Sequence, residues 1–268
     1  DEEEQQHARN ADQTRQDKAQ HRTTKRGGHT RKRHSEDDVV VSVAGEETVR
    51  VTVPCSLEPY GRKTVLLSGD EIEQLLISNP RLWWPAGYGE QYLYRMEVCF
   101  EADGRKLCRT AENFGIRDVN TYVGPDERVI EINGRRIYPV GGNWVIDMML
   151  NWTAPRYERE ILLTRNSGMN MLRVWGPTGV APEAFYDAAD KYGVMLWQDF
   201  LNDYWGTFQN RPGYCPDESL FCDITSEIVK KYRNHPSLVM WCGGNEGINP
   251  REKRIMEEIL PSFDGRDS

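Results

Sequence analysis

The hydrophobic period of this chain changes once, and that change limits its fold more than any other feature. From Val39 to about Val123 apolar residues recur at every second position. "VVVSVAG", "TVRVTVP", "KTVLLSG", "LYRMEVCFEADG" and "RKLCRTAENFGI" are short runs rich in β-branched and aromatic residues, split by Gly, Pro and Asp. Runs of this kind predict strands with one buried face, arranged as a small antiparallel sandwich. After Asn133-Gly134 the pattern becomes an alternation of strand and helix. "RIYPVGGN", "MNMLRVWG", "VMLWQDF" and "SLVMWCGG" read as strands; "APRYEREILLTRNSG", "APEAFYDAADKYG", "DITSEIVKKYRNHP" and "NPREKRIMEEIL" read as helices. Four βα units at this spacing predict a parallel sheet.

A doubly wound sheet and a (β/α)₈ barrel both begin this way. No G-x-G-x-x-G follows the first strand, which weighs against a dinucleotide fold. Polar and aromatic residues gather instead just past each strand: Asn143 with Trp144, Arg173 with Trp175, Trp197 with Asp199, and Asn245 with Glu246. Barrel enzymes assemble their sites at the carboxyl ends of their strands. The expected fold is therefore a β-sandwich over residues 39–123 followed, over 124–268, by the first four βα units of a TIM barrel.

Composition enters through the N-terminus. Hydrophobic residues make up only 38% of the 268-residue chain, because residues 1–38 contain three alanines and no other apolar side chain. Nine acidic and nine basic residues balance within that segment, so the formal charge of −8 belongs to the remainder. A stretch this polar is expected to be disordered or foreign to the fold. Its "HTRKRH" is flanked by acidic residues and reads as a solvated mixed-charge run, so no nucleic-acid partner is expected. No run of about 18 apolar residues is present to cross a membrane, and no signal peptide is visible.

Six cysteines form no C-x-x-C, and a single histidine, His235, lies beyond the polar segment, so no metal site is expected. A two-residue turn at Asp103-Gly104 would set Cys99 opposite Cys108 as a non-hydrogen-bonded pair, within reach of a disulfide. That bridge would imply an oxidising, periplasmic or secreted setting. Asn151-Trp152-Thr153 is an N-glycosylation sequon.

"NPRLWWPAGYGEQYLYRMEV", "FGIRDV", "GGNWVIDMMLNW", "NMLRVWG", "FYDAADKYGVMLWQDF" and "HPSLVMWCGGNEG", taken in order, resemble glycoside hydrolase family 2, in particular its β-mannosidase and exo-β-glucosaminidase branch. The resemblance runs from about Val39 to the C-terminus. It implies an immunoglobulin-like sandwich before the barrel and a retaining exo-glycosidase, without an organic cofactor, acting on terminal β-mannosides of glycans. Exo-β-D-glucosaminidase activity and non-catalytic carbohydrate binding by a half-barrel are the alternatives. By resemblance Glu246 is the general acid/base, Asn245 binds the sugar 2-hydroxyl, and Arg173 orients a nucleophilic glutamate that follows the seventh barrel strand.

That nucleophile is not in this sequence. The chain is therefore expected to be an internal piece of a larger enzyme, inactive alone, with Arg173 deprived of its partner. Open half-barrel edges would leave homo-oligomerisation possible. Sugars present an apolar C–H face and a hydroxyl edge, so Trp197 beside Asp199 suits a sugar subsite. Trp144, Asp147 and Trp175 are expected at the pocket rim, Tyr204 and Trp205 in a subsite wall, and Trp83 and Trp84 at the boundary between sandwich and barrel.

Overall fold

The computed structural model describes residues 38–44, 49–56, 60–102, 105–125, 127–147, 149, 151–176, 179–201, 217–245 and 253–264. The polar N-terminal segment up to residue 37 lies outside these, as do Tyr204, Trp205 and Glu246. Among the described residues the strands form three sheets.

The first sheet is antiparallel, ordered β2-β1-β3-β4, from β1 (Asp38–Ala44), β2 (Val49–Pro54), β3 (Tyr94–Ala102) and β4 (Arg105–Phe114). It belongs to the sandwich-like domain that the alternating pattern predicts. "KTVLLSG", expected as a strand, is not one: residues 61–68 have no regular structure and Leu66 is 82% exposed. A run without a neighbouring strand to complete its ladder gains nothing from its β propensity.

The expected pairing of Cys99 with Cys108 is corrected. The β3–β4 ladder shifts between Phe100 and Glu101, so that Phe100 faces Cys108 and Glu101 faces Lys106. One extra residue, Leu107, is accommodated as a bulge. Shifting a register by one residue turns every side chain beyond it to the other face. Cys99 accordingly pairs with Arg109 and is buried, whereas Cys108 is exposed, and both thiols are free. With the bridge goes the cysteine-based argument for an oxidising compartment.

The second sheet joins β5 (Val119–Val123), β6 (Arg128–Ile132) and β7 (Arg135–Ile137) in antiparallel order. It straddles the boundary expected between residues 123 and 124. "RIYPVGGN" is thereby split: Arg135–Ile137 complete this sheet, and the barrel strand starts only at Gly141. Pro139 lies between them and has no N–H to donate to either ladder.

The third sheet is parallel, ordered β8-β9-β10-β11: β8 (Gly141–Trp144), β9 (Met171–Val174), β10 (Met195–Asp199) and β11 (Leu238–Cys242). Helices α1 (Ala154–Asn166), α2 (Glu183–Tyr192) and α3 (Glu218–Tyr232) connect its strands. Four parallel strands joined by helices are half of the eight that close a barrel. The helices begin and end where their chemistry dictates. Asp217 caps α3 by accepting from the Leu220 N–H at 3.0 Å. Gly193 ends α2 with φ +75°, a left-handed turn that side chains resist. After β11 the last helix widens to π geometry over Ile255–Ile259 before α4 (Leu260–Phe263). Pro261 has no N–H for the preceding turn and its ring crowds the carbonyl four residues back, a reason for the ladder to loosen there.

Two cores flank the parallel sheet. On the helix side Leu172, Val174, Leu196, Leu238 and Trp241 pack against Tyr157, Ile161, Phe185, Tyr186, Phe221 and Val229. On the other side Met171, Met195 and Val239 meet Trp83 and Ile130, Ile132 and Ile137 of the antiparallel sheet. Trp83 is fully buried, and its indole N–H donates to the Asp190 carbonyl at 2.8 Å. Trp83 thus packs between the parallel sheet and the three-stranded antiparallel sheet.

Candidate active site

β9 and β10 run side by side with Arg173 opposite Trp197. Both residues face away from the helices, and Asp199 follows two residues later at the end of β10. Arg173 Nε approaches Asp199 Oδ1 and Oδ2 at 3.1 and 3.0 Å, and Nη2 donates to Oδ2 at 2.6 Å. The geometry is bidentate, the strongest form of carboxylate–guanidinium contact. Asp199 is completely buried, while the Arg173 side chain retains 25% exposure. A buried carboxylate of this kind needs such a partner. Arg173 is therefore paired within the barrel itself, with Asp199 as its carboxylate.

The same guanidinium reaches one strand further. Nη2 also donates to Asn245 Oδ1 at 3.0 Å, just past β11. The ends of three consecutive strands are thus tied together by one arginine. The guanidinium carbon stands 5.4 Å from the centre of the Trp197 ring. The Trp197 Nε1 is buried with no hydrogen-bond partner among the described residues. Cys242, at the end of β11, donates its thiol to the Gly244 carbonyl at 3.1 Å. Burial pushes that thiol above its ordinary value. Gly176 closes over the ion pair: a Cβ there would lie 2.1 Å from the Phe200 carbonyl and 2.8 Å from the Asp199 Cβ.

A cavity of about 400 Å³ runs along the helix-free face of the sheet. Asn143, Arg173 and Trp197 line one part of it, and Met171, Met240 and Arg128 another. Polar donors and an aromatic face beside an apolar floor are what a sugar-sized ligand requires.

Not every expected site residue lies here. Trp144 packs on the helix side, its ring 4.3 Å from Phe185 and its N–H donating to Glu160 Oε2 at 2.8 Å. It is a core residue, because the alternation of β8 turns it away from the cavity and gives Asn143 the inward place. Asp147 accepts from the Asn151 N–H at 2.9 Å and from Arg156 at 2.6 Å. The Asn151 amide, then the Met149 amide and the Arg156 charge, hold its carboxyl below the usual value against the opposing effect of burial. Asp147 thus fastens the loop between β8 and α1 and does not line the cavity. Trp175, half-buried after β9, donates its backbone N–H to the Trp144 carbonyl at 3.1 Å. Glu246 falls outside the described residues, one position beyond Asn245.

Asn143, Gly176 and Arg128 were not singled out as site residues from the sequence. Asn143 carried a signal, its place beside Trp144 at a strand end. Arg128 carried none, since it reaches the cavity from another sheet.

Comparison with known proteins agrees with this architecture. The pattern of glycosyl hydrolases family 2 matches residues 8–117, which takes in most of the polar N-terminal segment. That of the glycosyl hydrolases family 2 TIM barrel domain matches residues 153–266. A mannosylglycoprotein endo-beta-mannosidase of Lilium longiflorum is 34% identical over 188 residues, covering 66% of this chain and 20% of the relative. Beta-mannosidase B of Emericella nidulans is 32% identical over 204 residues, covering 74% of this chain and 24% of the relative. This chain thus spans between a fifth and a quarter of these relatives' length. Among solved structures, a beta-D-mannosidase from Dictyoglomus thermophilum superposes with a TM-score of 0.65 at 27% identity, over 86% of this chain and 30% of that one. An exo-chitosanase from Amycolatopsis orientalis shares the fold, with a TM-score of 0.65 at 21% identity, over 85% of this chain and 27% of that one. Two successive domain patterns of one family, matched in order along a sandwich and a parallel α/β sheet, establish that the chain belongs to the family 2 glycosyl hydrolases.

Proposed function

We propose that this chain carries the acid/base half of a retaining β-mannosidase site. Glu246 gives a proton to the leaving oxygen and then takes one from water. Asn245 and Arg173 hold the sugar side of the bond, and Trp197 supports its apolar face. The observation that carries the reading is the Arg173–Asp199–Asn245 network, which gathers the ends of three neighbouring strands beside a cavity that Arg173 lines, with Glu246 next after Asn245 in the sequence. The β-mannosidases among the relatives favour mannose as the sugar.

A retaining mechanism needs a second carboxylate about 5 to 5.5 Å from the first. By family resemblance it follows a seventh barrel strand, and the four-stranded sheet described here does not extend to one. On this reading the 268-residue chain binds a mannose-configured ligand without turning it over. A longer chain of the relatives' length that contains this sequence hydrolyses it.

The test is hydrolysis of aryl β-D-mannoside and aryl β-D-glucosaminide by such a longer chain, with and without Glu246→Gln. Mannoside cleavage abolished by the substitution supports the reading. Preferential cleavage of the glucosaminide would establish the exo-β-glucosaminidase alternative. Sugar binding with no cleavage of either substrate would leave a carbohydrate-binding role in its place.

A further inference from the structure

Asp199 was expected to touch the sugar, as the acidic neighbour of Trp197. Its surroundings assign it a different task. The carboxylate is fully buried, and its oxygens are taken up by three contacts from Arg173 at 2.6 to 3.1 Å. The Gly176 N–H approaches Oδ2 at 3.4 Å, and Gly176 seals the side that a substituent would otherwise occupy. Arg173, by contrast, is partly exposed, lines the cavity, and reaches Asn245.

We propose that Asp199 is a positioning residue that fixes the Arg173 guanidinium, and through it the orientation of the Asn245 amide, without contacting the ligand. The chemistry is one-directional. A guanidinium has only donors, so the Asn245 group turned toward it must be the carbonyl oxygen. The amide nitrogen is then the end turned the other way. A guanidinium on a flexible stem would not hold that choice by itself. The bidentate clamp removes the freedom of the arginine, and the preorganised network costs no reorganisation when a ligand arrives. The proposal deepens the glycosidase reading and rests on it only for the identity of the ligand.

The 268-residue chain serves for the test, with two independent readouts. The first is NMR of the Arg173 Nε–H and of the Asn245 side-chain amide in the ligand-free protein. Asp199→Asn keeps size and shape but weakens the clamp. It is expected to speed solvent exchange at Arg173 Nε–H and to shift the Asn245 amide signals, although no Asp199–Asn245 hydrogen bond is seen. Should Asp199→Asn fail to fold, Arg173→Lys removes the bidentate geometry with the charge retained, and the same Asn245 shift is expected. An Asn245 amide left unmoved by either substitution would overturn the proposal.

The second readout is affinity for a mannose-configured iminosugar in a double-mutant cycle. Asp199→Asn and Asn245→Ala are each expected to weaken binding on the order of 10- to 100-fold, the scale of one charge-assisted hydrogen bond. Their combination should weaken it by less than the product of the two losses, because both act through the Arg173–Asn245 contact. Fully additive losses would mean that Asp199 and Asn245 act on the ligand independently, which also overturns the proposal. If the parent chain binds no iminosugar, the glycosidase reading loses its support, and the NMR arm still decides the role of Asp199.

Discussion

The parallel sheet has a buried aspartate at each end, and the two are used in opposite ways. At the carboxyl end Asp199 holds Arg173, whose guanidinium stays partly exposed along a cavity. At the amino end Asp190 holds His235, with Oδ2 2.6 Å from Nδ1, and its Oδ1 accepts the Ser237 N–H at 2.9 Å. Tyr186 and Tyr232 cover that imidazole, their ring centres 5.2 and 6.0 Å from it. Arg117 closes the same end by donating to the carbonyls of Pro236 and Leu238. Asp187, Asp190 and His235 lie close enough to hold a metal ion, and within that group His235 is already paired with Asp190. The pairing chemistry is nearly the same at both ends; access to open space is the difference. A polar cluster sealed by rings and backbone secures the fold, whereas one with a cation beside a cavity can act on a ligand. This matches the division of labour between the two faces of a barrel.

The largest effects should come from opening the sealed end. Trp83→Ala removes a fully buried indole and is expected to cost about 3 to 5 kcal/mol in denaturant unfolding. Asp190→Ala leaves His235 buried beside an empty space, with a cost of similar order, about 3 to 5 kcal/mol if the imidazole stays charged. Neither should change the ligand affinity of the molecules that remain folded. Asp199→Ala breaks a buried pair as well, and it should lower affinity in addition to stability. Equal loss of affinity from Asp190→Ala and Asp199→Ala would erase the distinction between the ends.

A smaller effect follows from proton linkage at His235. Burial by itself would lower the imidazole, but the hydrogen bond and charge of Asp190, with Asp187 and Glu183 nearby, outweigh it and raise the group above its ordinary value of 6.5. A raised value means that the folded state binds the proton more tightly than the unfolded state. The stabilisation is therefore fully present below pH 6.5 and declines as the pH rises through the raised value. Thermal melts of the parent and of His235→Gln should differ most in mild acid and converge toward alkaline pH. A gap that widens with pH would show that the imidazole is neutral in the fold.

Arg117→Met should cost less, about 1 to 3 kcal/mol for carbonyls left without their donor, again without loss of affinity. The last prediction concerns no stability at all. In the native protein a thiol reagent should label Cys108 readily and Cys99 only after unfolding, and reduction should leave the electrophoretic mobility unchanged. Equal protection of both thiols would restore the disulfide.

Much of this was legible beforehand, for reasons that can be named. The period change after Asn133-Gly134 located the parallel sheet, because a buried strand joined to an amphipathic helix leaves few other arrangements. The clustering of Arg173, Asp199 and Asn245 at strand ends pointed to one region, and the structure joins them through a single guanidinium. The structure turns Trp144 into the helix-side core for a local reason. In a four-residue strand the inward position falls on Asn143 or on Trp144, and residue type does not say which. Indole suits a sugar platform and a helix-side core equally well.

The order of hydrophobic and polar residues, with the turn and cap residues between them, thus determined the change from antiparallel to parallel architecture, the helices between the parallel strands and the chemistry available at the strand ends. Those are properties of neighbours along the chain, set by side-chain periodicity and backbone preference. What only the tertiary structure decided was partnership. One bulged residue in β4 separated Cys99 from Cys108, one proline divided "RIYPVGGN" between two sheets, and the packing of β9 against β10 set Asp199 against Arg173. Partners of this kind are chosen by register and burial, which arise only when distant segments meet.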